Sequence, residues 1–315
     1  LFPAPRSSVT VMAALPRLDE VLTLFDHVRA ACGDRLTAFE LVPRLGLELG
    51  IAHVNGVQDP FTDTHPQYTL IELTSPRTGD NLRSDIESVL ERALEDEIIV
   101  DAVIAESEAQ VQQLWKIREE LPAAQSREGG SIKHDVSVPV SATVEFIERA
   151  TRAVETEMPG IRVCAFGHIG DGNIHYNLTQ PLEMDKRAFL DKWECMNRIV
   201  HDIVVDMNGS ISAEHGIGLL KKMELDHYAP SVKLDLLRQI KRAVDPNDIM
   251  NPGKITNAPK MDDRQLFRFA PGYKVDSFPT KLNWSAWPGA AGGLQGAVEM
   301  CNNNGSCRKL TGGVM

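Results

Sequence analysis

The chain has no apolar run long enough to span a bilayer, which argues against a transmembrane helix in this portion. It has no basic run either. Its 33 Lys and Arg stand against 44 Asp and Glu, and a formal net charge of −11 argues against a nucleic-acid surface. Cysteine is scarce: Cys32, Cys164 and Cys195 are scattered in apolar surroundings and are expected as buried free thiols. That usage suits a reducing compartment better than a disulfide scaffold. The stretch that starts at Leu1 lacks the layout of a signal peptide. Together these absences suggest a cytoplasmic protein, at most peripheral to the inner face of a membrane. With 315 residues, 43% of them apolar, there is material for one large domain or two.

What the chain does have is concentrated at residues 164–177, which read Cys-Ala-Phe-Gly-His-Ile-Gly-Asp-Gly-Asn-Ile-His-Tyr-Asn. A two-residue turn at Asp171-Gly172 would make a tight hairpin, because this dipeptide supplies positive φ angles. His168 would then face His175 across the pair, with Cβ atoms ~5 Å apart. In a continuous strand a seven-residue separation would put the two rings on opposite faces. Two imidazoles on one face are half of a metal site, and a carboxylate commonly completes it. Asp171 and Asn173 read as turn formers. The candidate carboxylate is Glu214, in Ser212-Ala213-Glu214-His215-Gly216-Ile217-Gly218. This segment also reads as a helix start, with Ser212 as N-cap and Glu214 at the positive end of the dipole. A helix start leaves His215 and the two glycines unexplained, and such glycines suggest a close backbone approach.

Around these motifs, strands are expected at 9–15, 36–42, 68–73, 98–104, 132–140 and 161–166. Helices are expected at 19–31, 81–95, 109–121, 142–154, 186–207 and 232–244, with a surface loop at 58–67 and a polar loop at 125–130. Such alternation fits an α+β fold in which an antiparallel sheet is covered by helices on one face. Residues 258–299 are rich in Gly, Pro and Trp and read as a linker. Cys301 and Cys307 follow, around Asn-Asn-Asn-Gly-Ser. They are either two free thiols in a loop or part of an iron–sulfur site.

Three motifs in order carry a resemblance: Gly-His-Ile-Gly-Asp-Gly-Asn-Ile-His, Ser-Ala-Glu-His-Gly-Ile-Gly, and Asp-Pro-Asn-Asp-Ile-Met-Asn-Pro-Gly-Lys at 245–254. Together they resemble the C-terminal half of FAD-linked oxidases of the vanillyl-alcohol-oxidase type, in the branch of the D-2-hydroxyglutarate, D-lactate and glycolate dehydrogenases. The resemblance covers roughly 1–257. It implies a ferredoxin-like cap domain, with C-terminal helices that pack on an FAD-binding half preceding Leu1, so that the chain is an internal segment of a longer polypeptide. Alone, such a segment is expected to bind flavin poorly and not to turn over. Residues 300–315 resemble the start of a fused iron–sulfur domain, with Cys301 and Cys307 as the first ligands of a 4Fe-4S cluster.

Residue by residue, the resemblance implies that His168, His175 and Glu214 hold a divalent metal, usually zinc. Arg118 and Lys133 match cations that hold substrate carboxylates, Asn177 a hydrogen-bonding position, and His215 the base that takes the hydroxyl proton. In the hydroxyglutarate branch a threonine stands four residues after the arginine; here that position is Pro122. The implied reaction oxidises a small 2-hydroxy acid and passes electrons through an iron–sulfur module to a quinone or a soluble carrier. A homo-oligomer is compatible with all of this. The residues alone leave Arg118 open as a surface ion pair and Lys133 as a solvent-facing strand residue. They also leave a zinc hydrolase and a non-catalytic electron-transfer segment as competing readings. No His-Glu-x-x-His motif supports the hydrolase.

Overall fold

Seven of the nine residues of β1 (Ser7–Leu15) are apolar or β-branched, which would suit a half-buried strand, yet β1 is buried continuously from Thr10 to Leu15. The reason is its central place in a computed structural model that describes residues 4–260, 263, 273, 280–286, 293–299 and 301. β1 is followed by α1 (Glu20–Cys32), β2 (Leu36–Pro43), α2 (Arg44–His53), β3 (Gln67–Ser75), α3 (Leu82–Glu95) and β4 (Asp101–Ile104). The strands form an antiparallel sheet in the order β2-β3-β1-β4. This is the split strand-helix-strand arrangement of ferredoxin-like units.

Alternation along β1 sorts its side chains onto two faces. Val11, Ala13 and Leu15 join Val21, Leu24 and Val28 of α1 and Ile86 and Leu90 of α3. Met12 and Ala14 face the other way, towards Leu47 of α2, Leu114 and Ile117 of α4 (Glu108–Glu119) and Leu121 of α5 (Leu121–Gln125). The expectation of helices on one face is therefore too simple: this sheet is covered on both. Both α2 and α5 lie where no helix was expected; α2 carries two glycines and α5 has a proline in its first turn.

The second half repeats the plan. β5 (Ser131–Ser137), α6 (Thr143–Glu157), β6 (Arg162–Phe166), β7 (Asn173–Thr179), α7 (Lys186–Leu190) and α8 (Trp193–Asp206) follow in order, with strands arranged β5-β7-β6. The single helix expected at 186–207 is broken at Asp191-Lys192. Where β4 pairs with β1 in the first sheet, β5 has only an isolated bridge, Ser137 to Ser210. The fourth strand of the repeat is reduced to that one residue pair. Asn208 ends α8 with φ 58°, and the chain then leaves β5 instead of running along it. The two sheets touch through a second isolated bridge, Leu41 to Gly167, closed by reciprocal N–H···O bonds of 2.9 and 3.1 Å.

Two further helices, α9 (Lys222–Tyr228) and α10 (Ser231–Val244), follow the loop at 211–221. The chain divides into two compact units, up to Gln239 and from Ile240 onward. Within the second, Asp245 accepts from the backbone of Ile249 and Met250, both at 3.0 Å, and pairs with Lys241, so the Asp-Pro-Asn-Asp motif is a carboxylate-capped turn. A short helix, α11 (Gly293–Glu299), stands within the stretch read as a linker. Among the described residues no helix is long and apolar enough to cross a membrane.

Candidate active site

One face of the second sheet builds the site. β5 and β7 pair Asp135 with His175 and Lys133 with Asn177, while β6 and β7 pair Phe166 with His175 and Cys164 with Asn177. Directly paired residues share a face, so Lys133, Asp135, His175, Asn177 and Phe166 all project to one side. Ile132, His134, Val136 and Tyr176 project to the other, into the core with α6 and α8. The first set, Lys133, Asp135, Phe166, His175 and Asn177, with Trp115, Arg118 and Pro122 above and residues 214–221 at the side, lines a cavity of about 780 Å³.

His175 thus faces Phe166, not His168 as the tight-hairpin register required. The connection from β6 to β7 is longer than two residues. Gly167 turns with φ 128°, Ile169–Asp171 form a 3₁₀ turn, and Gly172 closes it with φ 85°. Asp171 does form the turn, accepting from Asn173 N at 3.1 Å. This excursion still returns His168 to the site, with its ring centroid 5.7 Å from that of His175. The Leu41–Gly167 bridge decides where it lands. Continued by one residue, its register sets Glu40 opposite His168, and Glu40 Oε1 lies 2.5 Å from His168 Nδ1.

The 211–221 loop supplies the rest. No helix starts at Ser212; α9 begins only at Lys222. Ser212 Oγ donates to the Gly216 carbonyl, and Glu214 N and His215 N both donate to Asp135 Oδ2, at 3.0 and 2.9 Å. The side chain of Asp135 stands in for the missing strand as hydrogen-bond acceptor. Lys221 reinforces it, donating from Nζ to the carbonyls of Asp135 and Ile211 at 2.9 and 2.8 Å. Gly216 and Gly218 have φ of 73° and 52° with open space where a Cβ would stand, so they serve the turn and not a close approach.

Two imidazole nitrogens converge on the Glu214 carboxylate. His175 Nε2 lies 3.3 Å from Oε1, and His168 Nε2 lies 3.9 Å from Oε2. Two atoms bound at tetrahedral angles to one zinc ion would be about 3.3 Å apart, given bonds of about 2.0 Å. The His175–Glu214 pair has the separation of two ligands on one divalent ion, whereas His168 Nε2, at 3.9 Å, stands somewhat farther out. Asp135, His175, Glu214 and His215 also present ligand atoms within 4.8 Å of one another. However, Asp135 Oδ2 is occupied by two backbone N–H groups, and Oδ1 sits 3.8 Å behind His175, at Nδ1. At that distance Oδ1 makes no hydrogen bond to the ring, so the direct role of Asp135 is to hold the loop amides rather than to ligate. His215 stacks on His175 at 5.8 Å and is exposed, with Nε2 3.6 Å from Glu214 and Nδ1 3.6 Å from Asp135.

Burial, followed by the nearby Arg118 charge, lowers the His175 pKa to about 4, so its ring is neutral and free to ligate. The Glu40 hydrogen bond raises that of His168. Burial pushes the Glu40 and Asp135 carboxyls up. Both nonetheless lie below the usual carboxylate value: His168 and Arg118 hold Glu40 ionised, and the His215 and Glu214 amides and Lys221 hold Asp135.

Arg118 is not a surface ion pair. It is 8% exposed, its Nε donates to Glu40 Oε2 at 2.7 Å, and its guanidinium lies 5.0 Å over the Phe166 ring. Lys133 is exposed on the cavity wall, where partial desolvation lowers its pKa; its Nζ approaches the carbonyl of Pro122 at 3.4 Å. Asn177 is buried, its amide donating to Gln125 Oε1 at 2.8 Å. Of the cysteines, Cys32 and Cys164 are buried and Cys195 is half-buried, all as free thiols, and burial pushes Cys164 up to about 12. Cys301 is exposed, and Cys307 lies outside the described residues. Sequence reading missed Glu40, Gln125, Asp135 and Lys221. The alternation at 132–138 placed Asp135 beside Lys133, and Glu40 is the one acid within an apolar strand; nothing local marks Gln125 or Lys221.

The family model for FAD linked oxidases, C-terminal domain, matches residues 4–255. The chain belongs to this family. It is 36% identical over 254 residues to the D-2-hydroxyglutarate dehydrogenase of Xanthomonas citri pv. viticola, covering 80% of this chain and 52% of that protein. The D-2-hydroxyglutarate dehydrogenase of Stutzerimonas stutzeri is 33% identical over 254 residues, with 80% and 53% covered. The chain thus spans about half the length of the curated relatives it matches. The fold also matches the crystal structure of p-cresol methylhydroxylase with a TM-score of 0.55 at 13% identity, covering 81% of this chain and 54% of that one. The mixed α+β cap with antiparallel sheets is therefore the FAD-linked oxidase arrangement expected from the motifs.

Proposed function

We propose that the complete protein oxidises a D-2-hydroxy acid, D-2-hydroxyglutarate foremost, to the 2-oxo acid, and that this chain supplies its substrate and metal site. One observation carries the reading: two imidazoles, a carboxylate, a free imidazole and two cations converge on one cavity in a family of flavin enzymes. The relatives named for D-2-hydroxyglutarate support the substrate class.

His168, His175 and Glu214 would hold a divalent metal, zinc by its preference for nitrogen and oxygen ligands, and such an ion supplies Lewis acidity to a hydroxyl and carboxylate. The hydride leaving Cα needs an acceptor, which is the chemistry FAD supplies when bound. The chain's own residues do the remainder. The terminal nitrogens of Arg118 have no partner among the described residues and present a planar fork to one carboxylate. Lys133 offers a point charge to a second. Asn177, held by Gln125, keeps its carbonyl oxygen for the substrate. His215 takes the hydroxyl proton as general base, its backbone amide anchored on Asp135. On this reading electrons then leave through an iron–sulfur module that begins at Cys301 and Cys307.

The complete protein should reduce a dye with D-2-hydroxyglutarate, lose that activity to a chelator and regain it with zinc. His175→Ala should lower turnover at least ~100-fold, through loss of metal assistance. Dye reduction untouched by both the chelator and His175→Ala would sink the metal-assisted mechanism, and no hydroxy-acid-dependent reduction at all would sink the dehydrogenase reading.

A further inference from the structure

Glu40 belongs to the first sheet, yet its carboxylate is 3% exposed at the back of the cavity built on the second. It has two partners on two different elements. Oε2 accepts from Arg118 Nε on α4 at 2.7 Å, and Oε1 lies 2.5 Å from His168 Nδ1, just past the end of β6. Neither contact is accidental to the fold. The Leu41–Gly167 bridge sets Glu40 opposite His168, and the Phe166 ring beneath the guanidinium keeps Arg118 within reach.

We propose that Glu40 is a positioning residue that orients the substrate-binding arginine and a metal-binding histidine at once, coupling the two subsites. The inference rests on the function proposed above and deepens it. On the arginine, a side-on bond to Nε fixes the plane of the guanidinium and leaves the end carrying the two terminal nitrogens to a carboxylate. On the histidine, a carboxylate at Nδ1 places the proton there and the lone pair on Nε2, the atom that faces Glu214. One carboxylate can serve both because each of its oxygens is an acceptor. A glutamine cannot. It has one acceptor oxygen, so its NH₂ would either meet Arg118 Nε–H donor against donor, or turn His168 to the tautomer that accepts at Nδ1 and carries its proton on Nε2, where the lone pair is needed. The consequence is reciprocity: what shifts Glu40 at Arg118 is felt at the metal, and the reverse.

The test measures two quantities on the complete protein: zinc affinity, by competition with a chromophoric chelator, and the KM for D-2-hydroxyglutarate. Glu40→Gln should weaken zinc binding ~10–100-fold, the usual effect of removing an orienting partner of a ligand, and should raise KM. Arg118→Met should change zinc affinity in the wild-type background and leave it unchanged in the Glu40→Gln background. A structural role alone would lower the thermal midpoint without that background dependence. If Glu40→Gln does not fold, Glu40→Asp keeps the charge but is one methylene too short to span both partners, and should still shift zinc affinity or KM. Wild-type zinc affinity and KM in a folded Glu40 variant overturn the inference and leave the proposed function standing. A wild-type protein that binds no zinc overturns both, and that failure is read without any variant.

Discussion

His134 lies on the core face of β5, directly behind the cavity. Its Nδ1 is 2.9 Å from the carbonyl of Tyr176, and its ring stands edge-on to His201 with centroids 5.4 Å apart. Burial, aided by His201, lowers its pKa to about 3. In the unfolded chain a histidine titrates near ~6.5. The folded value is the depressed one, so the neutral ring contributes its full stability above pH ~6.5. That contribution is lost as the pH falls from there towards about 3. Over the interval from pH 7 to pH 5 the loss is about 2 kcal/mol. Urea unfolding of the wild type and of His134→Gln at both pH values checks this: the variant should lose about 2 kcal/mol less over the interval. Equal losses in the two proteins would remove His134 as the cause. The neighbouring residue, Asp135, shows how sharply the strand divides roles, since it points to the cavity and holds the loop that carries Glu214 and His215.

At the scale of elements, the site depends on two irregular connections. The turn between β6 and β7 is held against the segment after β5: Val138 N donates to the Gly172 carbonyl at 3.1 Å. A Cβ on Gly172 would stand 2.2 Å from the carbonyl oxygen of Val138, at φ 85°. Gly79 has nearly the same φ, 84°, with nothing within 4 Å. The pair separates two costs of replacing glycine. Gly79→Ala should lose about 1–2 kcal/mol for the left-handed conformation alone. Gly172→Ala should lose clearly more, and should also lose zinc affinity because His168 moves with the turn. Urea midpoints for the two variants decide it; equal losses would mean that close approach to Val138 does not constrain the turn. The 211–221 loop is the second connection, replacing a strand by contacts to Asp135 and Lys221.

At the scale of the first compact unit, the backbones of two ferredoxin-like halves are joined by the Leu41–Gly167 bridge, and the cavity lies between the second sheet, α4, the start of α5 and residues 214–221. The arrangement separates the two cations. Arg118 is tied through Glu40 to His168, whereas Lys133 lies one cross-strand step beyond the Asp135–His175 pair, ~7 Å along the strand. On the function proposed above, the carboxylate beside the reacting carbon would belong with Arg118, and a second one with Lys133. Lys133→Met in the complete protein should lower kcat/KM for D-2-hydroxyglutarate ~10–100-fold, the worth of a charged hydrogen bond, and leave D-lactate within a few-fold. Steady-state kinetics with the two acids check this, and an equal loss for both would reverse the assignment of the cations.

Period and turn chemistry are local, and the sequence by itself determined what they control. Strands at 9–15 and 36–42, helices at 19–31 and 81–95, and the alternation that puts Lys133 on a strand face are all found in the fold. So is the proximity of His168, His175, Glu214 and His215, which the order of motifs marked out. Register is not local. A two-residue turn was the simplest closure for Asp171-Gly172, but contacts with Val138 and the Leu41–Gly167 bridge favour a longer one, and His175 pairs with Phe166. Likewise Ser212 could cap a helix only if the amides of Glu214 and His215 lacked a better acceptor, and Asp135, 79 residues earlier in the chain, provides it. Glu40 had no partner legible in its own strand, because both of its partners come from other elements. Only tertiary structure decides such contacts, since a buried carboxylate must find its compensating charge wherever the fold brings one.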